Sequence, residues 1–303
     1  MSKRVVIAGA SGLIGRALVQ ELRARGWTAI RFVRGQARRA DEVGWNPASD
    51  MLNVDELGRV DAVVNLSGEN IASGRWTRER RKRIVESRVG SLRTLRRALE
   101  RMSVPPQVVV SASAVGIYGD RGDEVLTETS TRGQGFLADV CEAWEEHAVR
   151  IAQLGVRTVR LRLGVVLARE GGALPRLLPL FRAGLGGRVG NGRQWMSWIS
   201  LVDAVGAVAH AIECAELAGP VNAVAPRAVT NLEFTRTVAA WLRRPAWLPA
   251  PAFALRLAFG QMAQETLLAS ARVEPAELIR SGYRFRDPDL GAALSSILQS
   301  GKL

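Results

Sequence analysis

Three glycines that follow a short apolar run constrain the fold more than any other feature of the chain. Val5–Ala8 is apolar throughout, which is typical of a strand buried on both faces of a parallel sheet. Gly9, Gly12 and Gly15 follow with the spacing G-x-x-G-x-x-G, and helical periodicity then continues to Arg25. In such a unit the glycines permit a tight turn, close approach of a diphosphate to the backbone, and close packing of helix on strand. The pattern predicts dinucleotide binding at the start of the helix; the alternative is a glycine turn that only connects two elements.

The end of the second predicted strand indicates which dinucleotide to expect. In this kind of unit an Asp or Glu at that place binds the ribose 2′-hydroxyl of NAD, whereas Arg accommodates the 2′-phosphate of NADP. The strand ends at Arg34, and no acidic residue occurs from position 22 to position 40. Three more arginines stand nearby, namely Arg31, Arg38 and Arg39. We therefore expect NADP(H), with general abundance of arginine as the alternative explanation.

Predicted strands and helices alternate as far as residue 183. Apolar runs predict strands over 27–33, 60–66, 107–111 and 156–163, and helical periodicity predicts helices over 77–102, 137–154 and 171–182. This order is typical of the α/β class. It predicts a Rossmann-type doubly wound parallel sheet with right-handed crossovers.

The alternation ends at Gly184, where a glycine-rich stretch extends to Trp195. Helices are predicted again over 231–242, 251–261 and 287–298. We therefore expect residues 1–183 to form an NADP-binding Rossmann domain, with 198–225 returning to it. Residues 184–197 and 226–303 are expected to form a smaller, mostly helical C-terminal cap domain that binds the substrate, because ligand sites favour such interfaces.

The formal net charge of +13 raises the question of a polyanionic partner. The basic residues are spread along the chain, and only those at positions 3, 82 and 302 are lysines, so the excess of arginine follows the general composition. The densest basic run, Arg75–Arg101, is predicted to be the solvated face of a long helix. We expect no specific nucleic-acid partner.

Other features of the composition bound the location and the chemistry. No apolar run approaches the roughly 18 to 20 residues that span a membrane, and the early first strand leaves no room for a signal peptide. Cys141 and Cys214 are the only cysteines, and their spacing is not that of metal ligands. We expect reduced thiols, a cytoplasmic location, no metal site and no membrane partner.

Several further motifs together resemble the extended short-chain dehydrogenase/reductases. The similarity is greatest to their atypical branch, the NAD-dependent epimerase/dehydratase-like "epimerase family proteins". The motifs lie along nearly the whole chain, at Gly9–Gly15, Asn65–Ile71, Ser111–Gly119, Trp144-Glu145, Arg162–Leu167 and Arg272–Pro275. The last of them lies in what resembles the C-terminal domain of unknown function of that branch.

The resemblance implies an α/β Rossmann fold that binds NADP(H). It implies cofactor contacts in the glycine loop, at the end of the second strand, in the loop after the 60–66 strand, on the long helix, and after the 156–163 strand. The residues concerned are Gly9, Ser11, Gly12, Leu13, Ile14, Gly15, Val33, Arg34, Leu66, Ser67, Gly68, Glu69, Arg88 and Val166.

The Tyr-x-x-x-Lys pair that most extended members use is absent. In those enzymes one helical turn places both side chains on the same face, and the lysine lowers the tyrosine pKa so that it exchanges protons near neutral pH. Here the only tyrosines are Tyr118 and Tyr283, and neither is followed by Lys four residues later. We expect Phe136 and Val140 at the helix positions where other members carry the Tyr and the Lys, or the residues one position away. Trp144 is expected on the same face. Such an apolar stripe indicates packing.

Ser113 and Tyr118 are the catalytic candidates that remain. Ser113 is expected to touch a substrate carbonyl or the nicotinamide amide, or to bond to local backbone. Tyr118 is expected either to donate a proton, with Arg121 lowering its pKa, or to be structural. Glu69 is a further acid/base candidate, for which hydrogen bonding to the cofactor or loop is the alternative. Three other side chains are expected either to line a flat substrate pocket or to anchor the cap, namely Gln194, Trp195 and Trp198.

Two functions remain open at this point. The first is an NADPH-dependent oxidoreductase or epimerase-like enzyme that reduces a carbonyl, enone or imine of an unknown small molecule. The second is a non-catalytic NADP(H)-binding protein that regulates or binds a partner, for example in cell division, and the missing Tyr-Lys pair motivates it. We expect a monomer or a homodimer in either case.

Overall fold

The computed structural model describes residues 2–299. The strands are β1 (Arg4–Ala8), β2 (Thr28–Arg34), β3 (Glu42–Asn46), β4 (Met51–Leu52), β5 (Ala62–Asn65), β6 (Val108–Ala114), β7 (Val125–Leu126), β8 (Arg157–Leu163), β9 (Val165–Leu167), β10 (Trp195–Met196), β11 (Trp198–Ser200), β12 (Gly219–Ala223), β13 (Val229–Thr230) and β14 (Arg272–Val273). The helices are α1 (Leu13–Ala24), α2 (Arg78–Leu99), α3 (Phe136–Ala152), α4 (Leu174–Arg182), α5 (Leu201–Glu213), α6 (Asn231–Leu242), α7 (Ala252–Phe259), α8 (Gln261–Thr266), α9 (Ala276–Arg280) and α10 (Leu290–Gln299).

One sheet of eight strands organises the molecule, in the order β12-β8-β6-β5-β1-β2-β3-β4. All neighbouring strands in it are parallel except β4, which is antiparallel to β3. The chain first winds outward from β1 through β2 to β3 and then outward on the other side through β5, β6, β8 and β12. The predicted doubly wound Rossmann-type sheet is confirmed.

Helices cover both faces of this sheet. On one face Leu18 and Leu22 of α1 pack with Val208 of α5 against β1 and its neighbours. On the other face Leu92 of α2 and Trp144 of α3 pack against the opposite sides of the same strands. Strands β1 and β5, at the centre of the sheet, are buried on both sides, so their sequences are mostly apolar runs, and this is why these strands were predictable.

The predicted elements differ from the structure at several ends. Strands β3 and β4, of five and two residues, were not predicted. Helix α4 begins at Leu174 and not at residue 171, because Gly171 and Gly172 have φ angles of +81° and +71°, which a helix does not use. Strand β6 continues beyond the predicted end at Ser111 to Ala114. This extension determines the position of Ser113.

A second apolar cluster lies beside the sheet in the C-terminal part of the chain. It joins α4, α6 and α10 around Trp198, whose indole Nε1 donates to the Arg227 carbonyl oxygen at 3.0 Å. Strand β12, within 198–225, pairs with β8 in the main sheet. The domain boundaries themselves stay a prediction.

No helix between residues 2 and 299 is long and apolar enough to cross a membrane.

Candidate functional site

The glycine loop is shaped by contacts that no side chain can enter. Gly9 has φ of +79°, and a β-carbon there would lie 2.8 Å from the carbonyl carbon of Leu66. A β-carbon on Gly15 would lie 2.2 Å from the Gly9 carbonyl oxygen, so only glycine lets α1 approach this closely. Helix α1 starts after Gly12, and no side chain in the described range 2–299 caps its first N–H groups. The start of α1 therefore offers free N–H donors and the positive end of the helix dipole to an anion.

The crevice at the carboxyl edge of the sheet lies where the strand order reverses, between β1 and β5. The loop after β5 forms its second wall, with the Ser67 N–H donating to Asn65 Oδ1 at 3.2 Å. A β-carbon on Gly68 would lie 3.3 Å from the Arg88 guanidinium carbon, so α2 reaches this wall. Leu66, Ser67, Gly68 and Arg88 are thus brought together opposite the glycine loop.

Arg88 holds the loop after β5 in place. Its Nη2 donates to the Glu69 carbonyl oxygen at 3.2 Å, its Nη1 donates to the Ile84 carbonyl oxygen at 3.0 Å, and its guanidinium lies over the Trp144 ring. Burial lowers the pKa of Arg88. The Glu69 carboxylate accepts instead from Arg83 Nε at 3.3 Å, in a partly exposed ion pair. Glu69 therefore contributes its backbone to this wall.

A pocket of about 460 Å³ lies at the end of β2. It is lined by Val33, Arg34, Gly35, Gln36, Arg38 and Glu42. The Arg31 side chain forms ion pairs with Asp41 and Glu42. Its hydrogen bond to Asp41 is the main reason why the pKa of Asp41 is lowered. Arg34 and Arg38 are exposed and form no ion pair with the residues that the structure describes. Of the predicted arginine cluster, these two are therefore available to an anionic ligand.

Leu13 and Val166 close the crevice on the third side. The segment after β9 passes over the start of α1, since a β-carbon on Gly171 would lie 3.2 Å from Leu13 Cδ1. A β-carbon on Gly172 would lie 2.8 Å from the Val166 carbonyl oxygen. Two other predicted residues lie in the glycine loop and at the start of α1. Ser11 is exposed, whereas Ile14 packs on the core.

Ser113 belongs to a buried charged assembly further along the same edge. Its Oγ donates to Glu145 Oε1 at 2.8 Å. Glu145 also forms a two-point ion pair with Arg162, with Nε–Oε1 at 2.8 Å and Nη2–Oε2 at 2.9 Å. Burial alone would lower the pKa of Arg162, but the bonds to Glu145 outweigh it and raise the pKa. Glu145 and Arg162 thus form a buried ion pair in which each group has its partner.

Tyr118 lies on the other side of the same arginine and is fully buried. Arg162 Nη1 donates to its hydroxyl at 2.8 Å, and that hydroxyl lies 2.7 Å from Asn222 Oδ1 and 2.9 Å from the Thr127 carbonyl oxygen. Burial raises the pKa of Tyr118. The cation beside Tyr118 is thus Arg162, whereas the expected Arg121 binds Glu124.

The residues of α3 that face the strand ends stand one position later than the predicted Val140 and Trp144. Cys141 and Glu145 are directed to the strand ends, and burial raises the pKa of the Cys141 thiol to about 11. Val140 packs in an apolar cluster with Trp76. Phe136 contacts the Trp76 ring edge at 5.1 Å between centroids. The apolar stripe is packing, and a thiol and a carboxylate face the site.

Gln194, Trp195 and Trp198 were expected either to line a substrate pocket or to anchor the cap, and each of them forms a specific hydrogen bond. Gln194 Nε2 donates to the carbonyl oxygens of Val189 and Leu267, so it ties two loops together. Trp198 is buried and bonds as described above. Trp195 donates to Asp123 Oδ1 at 2.7 Å and lies under the Arg272 guanidinium. No group of three or more His, Cys, Asp or Glu side chains suited to a metal occurs among residues 2–299.

Residues 5–223 match the model of the NAD dependent epimerase/dehydratase family, which is more than half of the chain. The chain belongs to the NAD dependent epimerase/dehydratase family. Residues 250–297 match the domain of unknown function DUF1731. The resemblance to the epimerase family proteins is therefore confirmed.

Curated and solved members of this family cover almost the entire chain. An epimerase family protein of Mycobacterium leprae is 43% identical over 291 residues, which is 96% of this chain and 94% of the relative. The crystal structure of human epimerase family protein SDR39U1 with NADPH superposes with a TM-score of 0.89 at 34% identity, covering 98% of this chain and 99% of that one. The UDP-glucose 4-epimerase of Thermus thermophilus, with NAD, shares the fold at 19% identity and a TM-score of 0.74, covering 99% of this chain and 100% of that one.

Two charged side chains that lie behind Ser113 were given no role from the sequence. Glu145 and Arg162 lay in motifs that carried the resemblance, yet they were not identified as partners of Ser113. One signal was present: Arg162 lies close to the carboxyl end of β8, where ligands bind in such sheets. The partner of that charge is 17 residues away on a helix, and periodicity does not reveal it.

Proposed function

We propose that the chain is an NADP(H)-dependent oxidoreductase or epimerase-like enzyme of the extended short-chain dehydrogenase/reductase type, acting on a small molecule with a carbonyl, enone or imine group. A nicotinamide dinucleotide, when bound, supplies or accepts a hydride. The observation that carries the proposal is the place of Ser113. It lies on β6, next to the glycine-lined crevice, and is bonded to a buried ion pair.

The residues of the crevice suit NADP(H). The uncapped start of α1 is a site for the diphosphate, and the space that Gly9 keeps free of side chains lets it approach. Arg34 and Arg38, whose side chains form no ion pair among residues 2–299, suit the 2′-phosphate. The human relative crystallised with NADPH supports this choice.

Ser113 orients the substrate in this proposal. Its hydroxyl proton is directed to the Glu145 carboxylate, so the remaining lone pairs of Oγ accept a hydrogen bond from a hydroxyl or amide group. The ion pair with Arg162 holds the Glu145 carboxylate in the position where it accepts from Ser113. We assign Tyr118 to positioning Arg162, because its hydroxyl already has three polar neighbours. Water then completes proton transfer, since the Glu69 carboxylate binds Arg83.

The test is a titration of the protein with NADPH and NADH, followed by turnover of NADPH over a panel of carbonyl compounds. We expect saturable binding of NADPH, and stereospecific oxidation of NADPH by at least one compound. Ser113→Ala is expected to lower kcat at least about tenfold with unchanged NADPH affinity. Ser111→Ala is the matched control, because Ser111 Oγ is buried on the same strand but donates to the neighbouring Ala112 carbonyl oxygen and not to the ion pair. Absence of saturable uptake of both coenzymes would refute the proposal.

A second function, a non-catalytic NADP(H)-binding regulator or partner-binding protein, is favoured by one observation. The chain has no Tyr-x-x-x-Lys pair, and positioned acid–base groups commonly contribute about 10²- to 10⁴-fold in rate. Capture of a partner that depends on NADPH, without turnover of any carbonyl compound, would support it. Efficient stereospecific reduction would exclude it.

We also propose a cytoplasmic location. Both cysteines, Cys141 and Cys214, are free thiols. Free thiols of this kind are typical of a reducing compartment. Fractionation of cells with an antibody to the protein tests this.

A further inference from the structure

Helix α7 is packed differently from the other helices, because it buries none of its eight side chains. Phe253 is 71% exposed and Leu257 is 77% exposed. These two residues are four apart and therefore lie on the same face of the helix. The helix presents an apolar face to solvent.

The exposed apolar surface continues onto two loops beside α7. The loop before α7 carries Trp247, which is 85% exposed, and Leu248. The loop after α4 carries Leu185. This loop packs on the loop before α7, and the Ala250 N–H donates to the Arg188 carbonyl oxygen at 2.8 Å. We call this surface the apolar ridge, made of Leu180, Leu185, Trp247, Leu248, Phe253 and Leu257. Soluble monomers rarely expose a continuous patch of such large side chains, so the ridge indicates a binding surface.

The two segments of the chain that carry the apolar ridge hold charges of one sign. The segments 171–202 and 234–264, which carry the ridge, contain eight arginines and no Asp, Glu or Lys. They therefore hold +8 of the net charge of +13. All eight arginines are exposed, and none of them forms an ion pair within residues 2–299. Helix α2 is also basic, but several of its arginines are paired with acidic residues, as Arg93 and Arg97 are with Asp50.

We propose that the apolar ridge docks on the surface of an anionic lipid bilayer. Aromatic and aliphatic side chains on a surface helix insert into the interface, while arginines beside them contact lipid phosphates. A second copy of this chain seated on the same face is disfavoured, because it would bring two surfaces of charge +8 together. The lack of an apolar span, from which we expected no membrane partner, does not bear on a helix that lies in the interface.

The ridge is directly connected to the start of α3. Helix α8 follows α7 after Gly260, and Glu265 on α8 accepts from the backbone N–H groups of Phe136 and Leu137 at 3.1 and 2.8 Å. Docking through α7 therefore places the bilayer on the side of the molecule where α3 begins.

The test is co-sedimentation of the full chain with vesicles, and it does not depend on any enzymatic activity. We expect binding to phosphatidylcholine vesicles that contain phosphatidylglycerol, weakened by salt, and little binding to pure phosphatidylcholine. Phe253→Ser with Leu257→Ser is expected to weaken binding about tenfold or more, since two inserted apolar side chains are lost. Arg243→Glu with Arg244→Glu is expected to weaken it at least as much.

The matched control is Arg78→Glu with Lys82→Glu, which makes the same change of charge on an exposed face of α2. This control should bind almost as well as the wild type, and all variants should keep the wild-type melting temperature because the residues are exposed. Equal loss in the α2 control would show attraction by net charge alone and overturn the proposal. Binding to neither vesicle, or a dimer in light scattering that Phe253→Ser with Leu257→Ser abolishes, would also overturn it.

Discussion

Two neighbouring regions at the carboxyl edge of the sheet are built in opposite ways. The loop after β1 is kept free of side chains, because β-carbons on Gly9 and Gly15 would come within 2.8 Å of backbone atoms. The ends of β6 and β8 are instead filled by charged and polar side chains that bond to each other, from Ser113 to Arg162. The first region offers main-chain N–H groups, and the second fixes side chains. Substitutions should therefore act by crowding in the first region and by unpaired buried charge in the second.

The largest effect is expected at the buried ion pair. Arg162→Met should lower the free energy of unfolding by about 3–5 kcal/mol, because the buried Glu145 carboxylate loses its two-point partner and keeps only the longer ion pair with Arg160, at 3.6 Å. Urea unfolding followed by tryptophan fluorescence measures this. The matched double variant, Arg162→Met with Glu145→Leu, should be more stable than Arg162→Met alone, since both charges are gone. A double variant that is less stable than the single one would show that unpaired charge is not the cause.

The glycine loop allows crowding to be separated from backbone strain. Gly9 and Gly26 have nearly the same φ, +79° and +81°, but a β-carbon on Gly26 would meet nothing within 4 Å. Gly26→Ala should therefore cost only the strain of a left-handed residue, about 1 to 2 kcal/mol. Gly9→Ala should cost more than this and should also weaken NADPH binding, which calorimetry measures. Equal costs at the two positions, with NADPH binding unchanged, would contradict the role of close packing at Gly9.

Arg34 tests whether the first region recognises charge as well as shape. Arg34→Ala should weaken NADPH binding by about 1.5 to 3 kcal/mol through loss of a charge-assisted hydrogen bond, and leave NADH binding almost unchanged. Titration followed by fluorescence measures both. Arg59→Ala is the control, because Arg59 is also exposed but does not line the pocket at the end of β2. Equal losses for both coenzymes would refute binding of the 2′-phosphate.

The same contrast explains which features the sequence could predict. The motif around Gly9 is local, so its turn, its helix and its close packing are all encoded within about a dozen residues. The continuous apolar runs of the central strands were equally direct, which made the sheet predictable. The arginine cluster was predicted as a group, but the structure separates it: Arg31 is used by Asp41 and Glu42, whereas Arg34 is free of such pairs.

The second region could not be read in this way, because its bonds join distant parts of the chain. Ser113 was identified, yet its partner Glu145 lies 32 residues later. The tyrosine hydroxyl of Tyr118 bonds to Asn222, 104 residues away. The sequence does not show whether Val140 or Cys141 faces Ser113, because the residues one turn earlier, Phe136 and Leu137, are both apolar. Only tertiary packing decides between Val140 and Cys141.

The smallest change in the free energy of unfolding is expected for substitution of Glu128. Unlike a carboxylate with a lowered pKa, this group contributes to stability at low pH. Its Oε1 accepts from the N–H groups of Asn222 and Glu277 at 2.9 and 3.1 Å, while its buried Oε2 has no hydrogen-bond partner in the described part of the chain. Burial raises the pKa of Glu128 above its ordinary value of 4.5. The folded state therefore binds this proton more tightly than the unfolded state does.

Because the folded-state pKa of Glu128 is the higher one, its contribution to stability is present in full below pH 4.5 and is lost as the pH rises through the folded-state value. Glu128→Gln removes this titration while keeping an oxygen in reach of the two N–H groups. At pH 8 the variant should be slightly more stable than the wild type, by about 1 kcal/mol or less. Unfolding free energies measured for both proteins from pH 8 downward check this, and the advantage of the variant should shrink as the pH falls. An advantage that grows in acid would mean that the Glu128 carboxylate is stabilised by its surroundings, and the charged region would then extend beyond the Glu145–Arg162 pair.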